Sequence, residues 1–340
     1  MGMEPGTGRK VVLLWQGLSN VTEVVRVIRE ADTQGRLHIA VAHRDRDFPA
    51  QVLSDGFTHL PADVQDHMAA SVCRQVGASV FWPTARASFG DLEGIHATGA
   101  ASIVAAGAAT ATMLDDKDAF CRDAVLAGLP IPEWKTFQDL DGFDRAWKDL
   151  RGRHHRLCVK PTRSIYGMGF RRIDEDGDDW TRFSGNMSDR TGLEAFRRLL
   201  GEASPGRPYM LMPYLDGTER SVDCLAQDGQ LIRAVSRAKH SRVQELETGG
   251  IAVDVARHLV ARHRLNGVVN VQTRDHEGRT YVLEINARMA GGVTYSCLTG
   301  LALPYWAIML ALGLAHPGDV PMPRPGVVAP VQGAILMPPR

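Results

Sequence analysis

In Tyr281-Val282-Leu283-Glu284-Ile285-Asn286-Ala287-Arg288, a carboxylate, an amide and a guanidinium recur at every second position. In a β-strand that period places all three on one face, with Leu283 and Ile285 pointing to the core. A hairpin turning near Glu277 would set Gln272 opposite Val282, one diagonal step from Glu284 on the same face. One carboxylate and two amide oxygens suit magnesium, a hard cation that keeps some water and completes its shell with substrate phosphates. Arg288 would meet those phosphates with its planar fork. The same alternation also describes the solvated face of an ordinary amphipathic hairpin.

Two other segments carry chemistry of a related kind. Lys160 ends an apolar run and is followed by a loop, Thr162 to Gly169, whose Gly167-Met168-Gly169 can fold backbone N–H groups over phosphates. A plain hairpin turn has the same composition. Met212-Pro213-Tyr214-Leu215 offers an apolar surface and backbone polar groups, and Glu219 follows with a carboxylate; a core strand ending in a type II turn reads alike. Arg237 and Lys239 alternate on LIRAVSRAK and could meet an anionic substrate, although strand cations also protect sheet edges. His154-His155 lies in a basic run read as a solvated loop, and the acidic stretch from Asp174 to Asp179 lacks the ligand pattern of a calcium loop.

The elements that would position these residues fall into an ordered series. From Lys10 to about Thr112, short apolar runs (VVLLW, LHIAVA, FTHL, SVFWP) alternate with helical patterns, as in a parallel α/β sheet. The first turn, Trp15 to Asn20, has a single glycine and so lacks the dinucleotide-binding G-x-G-x-x-G; no NAD or FAD site is expected. A helix is expected from Leu114 to Leu129, closed by Gly128 and Pro130, with a domain boundary nearby. The α+β stretch that follows includes a polar loop from Arg171 to Asp189, expected to be mobile together with the glycine loop. Beyond Pro208, long strands joined by tight polar turns predict an antiparallel sheet, then a helix over Leu303 to Leu314 and a final strand in GVVAPVQGAILM.

Bulk properties narrow the class. A chain of 340 residues exceeds one ordinary core. Lys plus Arg and Asp plus Glu number 39 each, so no net field draws in nucleic acid or anionic lipid. Five scattered cysteines without a C-x-x-C pair argue against disulfides and structural zinc and fit a reducing cytoplasm. No secretory leader, membrane span or lipid anchor is expected.

The three chemical segments occur in the order and spacing of the ATP-grasp superfamily. From about Leu114 to Leu314 the chain resembles that family, in its carboxylate-amine or carboxylate-thiol ligase type, and the first hundred residues resemble its preATP-grasp domain. The E-x-N-x-R signature Glu284 to Arg288, with Gln272 on the strand before it, is the most specific part. The resemblance implies an α/β preATP-grasp domain over 1–112, then an α+β ATP-grasp fold with subdomains over 113–205 and 206–340 and ATP between two lobes. It implies that Lys117 and Lys160 contact nucleotide phosphates, that Gly167, Met168 and Gly169 form the flap, and that adenine lies by Met212, Pro213, Tyr214 and Leu215 with Glu219 towards the ribose. Gln272, Glu284 and Asn286 would hold magnesium, with manganese able to substitute, and Arg288 would stabilise the transferring phosphoryl group. The hinge departs from the family pattern, since Met212 and Pro213 stand where an acidic or amide side chain is common.

The implied reaction joins a small carboxylate to an amine through an acylphosphate, in the cytoplasm, without nucleic acid or membrane, and is compatible with a homodimer. An ATP-grasp kinase and a nucleotide-binding regulatory subunit remain as alternative readings.

Overall fold

The computed structural model describes residues 8–17, 20–164, 167–176, 178–185, 189–202, 206–331 and 335–337. Leu18 and Ser19 of the first turn, Ile165 and Tyr166 of the flap, and Gly177, Asn186, Met187 and Ser188 of the polar stretch lie outside them.

The N-terminal segment folds as β1 (Lys10–Trp15), α1 (Val21–Ala31), β2 (Leu37–His43), β3 (Gly56–His59), α2 (Met68–Val76), β4 (Ala78–Pro83), α3 (Leu92–His96), β5 (Ala101–Ser102) and α4 (Ala108–Asp115). Its five strands form a parallel sheet in the order β3-β2-β1-β4-β5. The unbroken apolar run of β1 follows from cover on both faces: Val12 and Leu14 enter one buried cluster, Leu13 and Trp15 another. Gly17, at φ 141°, is required here, because a Cβ would stand 2.5 Å from Val21 and 2.6 Å from Thr84.

The middle segment comprises α5 (Lys117–Leu126), β6 (Lys135–Phe137), α6 (Leu140–Arg151), β7 (Leu157–Pro161), β8 (Arg171–Asp174), α7 (Asp179–Ser184), β9 (Arg190–Gly192), α8 (Leu193–Glu202) and β10 (Tyr209–Pro213). Its sheet runs β6-β10-β7-β8-β9, antiparallel apart from the parallel β8–β9 pair. Phe137, Phe143, Leu150, Val159 and Leu211 form its core. The single helix expected over Leu114 to Leu129 is two: Asp116 turns extended between α4 and α5 and caps the second, accepting from the N–H groups of Asp118 and Ala119. The Arg171 to Asp189 stretch is not structureless either, since it contains β8 and α7, the latter capped by Asp178.

The C-terminal segment holds β11 (Glu219–Gln227), β12 (Gln230–Lys239), β13 (Gln244–Glu247), α9 (Ile251–Arg262), β14 (Gly267–His276), β15 (Arg279–Asn286), α10 (Val293–Cys297), α11 (Leu303–Ala311) and β16 (Gly326–Val328). The sheet order is β15-β14-β11-β12-β13-β16. Of the final strand expected in GVVAPVQGAILM, Gly326–Val328 is the part that forms among the described residues, pairing with β13, and Gln332, Gly333 and Ala334 lie outside them. The expected helix from Leu303 ends at Ala311.

Contacts group the chain into two units. Unit 1 comprises Met1–Thr112, Glu219–Gln272 and Ile285–Arg340; unit 2 comprises Met113–Thr218 and Thr273–Glu284. In unit 1, Val12 and Val24 share a core with Val235, Val293 and Ile308.

Candidate active site

Unit 2 carries Lys117, Lys160, the flap, the hinge and Glu284. Lys117 opens α5, where Asp116 fixes the first turn, and its own N–H donates to Thr162 O at 2.8 Å. Its Nζ donates to Ser164 O at 3.1 Å and lies 3.4 Å from the Glu284 carboxylate. Lys160 sits on β7 between β10 and β8, and its Nζ reaches Leu283 O at 3.5 Å. Both lysines are buried, whereas the Glu284 side chain keeps 22% of its exposure. The buried thiol of Cys121 marks the same neighbourhood: burial pushes it up to about 11, opposed by the charges of Lys160 and Lys117. Sequence reading passed over Cys121, whose helical position beside Lys117 carries no motif.

The flap glycines take the conformations their type allows. Gly167 and Gly169 have φ of 67° and 81°, and Phe170 N donates to Gly167 O at 3.0 Å. A Cβ at Gly169 would stand 2.7 Å from Pro161, so the chain can double back only with glycine there. Met168 between them is exposed.

At the hinge, Met212 and Leu215 are buried and Pro213 has no N–H. Tyr214 N already donates to Arg156 O at 2.8 Å, so that amide serves the protein's own backbone. The Tyr214 ring lies 5.0 Å from the guanidinium of Arg172, 5.5 Å from that of Arg274 and 5.9 Å from that of Arg156. Burial also pushes the neighbouring Cys158 thiol up to about 12, against the charges of Lys160, Arg274 and Arg172. Past the hinge, Gly217 is indispensable, because a Cβ would lie 2.3 Å from Asp275 O. A cavity of about 400 Å³ opens beside the hinge, lined in part by Tyr214, Arg156, His276 and Tyr281. His154 pairs with Glu133 at 3.1 Å.

Unit 1 carries Glu219, Arg237, Lys239, Gln272, Asn286 and Arg288. Arg288 donates to Met289 O at 3.0 Å and to Asn286 Oδ1 at 3.4 Å. Glu219 and Lys239, cross-strand partners on β11 and β12, form an ion pair. Arg237 departs from expectation. It is neither exposed nor on an edge strand: β12 lies between β11 and β13, the residue is 3% exposed, and its guanidinium binds Asp223, Ser221 and Gln244.

The hairpin of β14 and β15 refines one expectation and corrects another. The turn is two residues long, Glu277 and Gly278 at φ 49° and 75°, and Thr280 Oγ1 donates to Asp275 at 2.8 Å. This frame differs by one residue from a turn centred on Glu277. Leu283 is only half-buried, and the buried residues of β15 are Val282 and Ile285, one from each face. Glu284 and Asn286 still alternate on one strand, and both are hard oxygen donors of the kind magnesium takes. Among the described residues, no group of three or more His, Cys, Asp or Glu forms a self-sufficient metal cluster.

Comparison with solved structures decides the fold. N5-carboxyaminoimidazole synthetase from Staphylococcus aureus complexed with ADP superposes with a TM-score of 0.67 at 13% identity, over 96% of this chain and 82% of that one. The L-amino acid ligase from Bacillus licheniformis gives a TM-score of 0.62 at 16% identity, over 96% and 82%. The fold is that of the ATP-grasp proteins. Residues 206–334 match the family model described as ATP-grasp in the biosynthetic pathway with Ter operon. In sequence the chain is similar to the carbamoyl phosphate synthase large chain of Caldanaerobacter subterraneus subsp. tengcongensis, 30% identical over 129 residues. That stretch is 33% of this chain and 12% of that much longer relative. Among the described residues, no helix is long and apolar enough to cross a membrane.

Proposed function

We propose that this protein is an ATP-dependent ligase of the cytoplasm that joins a small carboxylate to an amine, an amino acid or peptide among them, with release of ADP and phosphate. The observation that carries the reading is the convergence in unit 2 of two buried lysines on one strand end: Lys117 beside the Glu284 carboxylate and Lys160 on the carbonyl of Leu283. Two buried ammonium groups next to a partly open carboxylate suit a polyphosphate that arrives with a divalent cation. The L-amino acid ligase and the ADP-bound synthetase of the same fold support it.

In this reading Lys117 and Lys160 hold the phosphates, the flap from Gly167 to Gly169 covers them, and the hinge takes the adenine through its apolar surface. Glu284 and Asn286 would hold magnesium or manganese, with Gln272 assigned by resemblance. Magnesium, when bound, supplies neutralisation of charge on the transferring phosphoryl group. The substrate carboxylate oxygen bonds to the γ-phosphorus as the bond to the ADP oxygen breaks. The amine nitrogen then bonds to the acyl carbon, phosphate leaves, and the amine gives its proton to solvent. Lys160 and Arg288 contribute fixed positive charge and orientation rather than covalent chemistry.

A screen of amino-acid and small-acid pairs for amine-dependent phosphate release from ATP tests this, alongside thermal-shift titrations. Stabilisation by Mg-ATP and phosphate release that requires an amine are expected. Stabilisation by NAD and none by Mg-ATP would overturn it, and phosphate transfer to a single acceptor without an amine would favour a kinase.

A further inference from the structure

We propose that Asp223 is the positioning residue for Arg288, a role that rests on Arg288 acting in the reaction proposed above. Asp223 is 0% exposed and its carboxylate gathers three donors from three elements of unit 1. Oδ2 accepts from Arg237 Nε on β12 at 2.8 Å and from Ser296 Oγ on α10 at 2.6 Å, while Oδ1 accepts from Asn270 Nδ2 on β14 at 2.8 Å. Asn270 and Arg237 also meet at Ser221 Oγ, at 2.9 and 3.0 Å. A buried carboxylate with charge-assisted bonds on both oxygens admits one arrangement of its partners.

That arrangement reaches Arg288 along a short piece of chain. The segment after Asn286 carries Arg288 and ends at Gly292, which precedes α10. At Gly292 a Cβ would lie 2.6 Å from Arg237 Nη1, so the guanidinium packs on bare backbone. Four residues on, Ser296 ties α10 to Asp223. Asn20 Nδ2 donates to Ala290 O at 3.2 Å and steadies the middle. The far end of the Arg288 segment is thus set by the Asp223 carboxylate, and its near end by β15.

Ser296→Ala cuts the link to α10 and leaves the Asp223–Arg237–Asn270 core in place. Hydrogen exchange and steady-state kinetics on the full chain read the result. Losing a bond to a buried charge should speed exchange across 287–297 about tenfold, with β11 and β12 unchanged. The misplaced Arg288 should lower kcat about tenfold while KM for ATP stays within about twofold. Gly292→Ala, which pushes against the guanidinium, should give the same pattern. Unchanged exchange across 287–297 in both variants overturns the proposal, as does a fall in Tm with kcat per folded molecule intact. If the wild-type protein turns over no acid and amine pair, the ligase reading fails, and the exchange measurement still decides the positioning.

Discussion

The two units each contain an acid–base pair, and the pairs are built differently. Asp223 and Arg237 meet at 2.8 Å with side chains 0% and 4% exposed, inside a web of further hydrogen bonds from three elements. Lys117 and Glu284 meet at 3.4 Å with side chains 9% and 22% exposed. The first pair is shut off from solvent, so removing one member strands a charge. The second keeps part of its carboxylate open to solvent, and in the proposed reaction a phosphate takes the place of Glu284 and a cation the place of Lys117. Residue type does not separate a closed pair from an open one; access does.

Glu284→Gln should give the largest contrast. It keeps the shape and removes the charge, so turnover should fall by orders of magnitude while the melting temperature barely moves. Near-normal ATP turnover at limiting magnesium would erase the distinction between the pairs. The same variant frees Lys117, so ADP should bind without metal up to about fivefold tighter than to wild type, the scale of a partly exposed pair; calorimetry in chelator reads this. Asp223→Asn should behave in the opposite way, costing about 3–5 kcal/mol of stability in denaturant titrations because Arg237 keeps its buried charge without a counterion. A smaller loss, about 1–3 kcal/mol, is expected for Val282→Asn, which buries an unsatisfied amide one turn of the pleat from Glu284 on the same face. If Val282→Asn instead abolished turnover without loss of stability, β15 would be catalytic along its length rather than at Glu284.

Much of this was legible in the sequence because it follows from local rules. Alternation predicts β15, the glycines at 167 and 169 predict a turn of positive φ, and apolar runs predict the parallel sheet. What escaped depends on partners far apart in the chain. Arg237 looked like a surface cation because nothing near it in sequence indicates Asp223, Asn270 or Ser296. Asp116 was absorbed into a helix, although its side chain is the cap that starts α5. The polar residues around Glu277 and Gly278 predict the turn that forms there. α9, rich in buried valine and alanine, went unassigned although its apolar spacing is helical.

The division of the chain has a consequence for its synthesis. The aromatic cluster of unit 2 lies between Phe137 and Leu211 and can gather once that stretch has left the ribosome, before β15 is made. The main core of unit 1 needs Val12 and Ile28 from the beginning and Ile308, Val320 and Val328 from near the end. The α/β sheet at the start of the chain must therefore wait, one face uncovered, while the middle folds and the last hundred residues are made. A ribosome that stalls before α10 releases a protein with a sound middle and an exposed valine and isoleucine surface at its head. For such a chain, the cell's chaperones and proteases meet the beginning first.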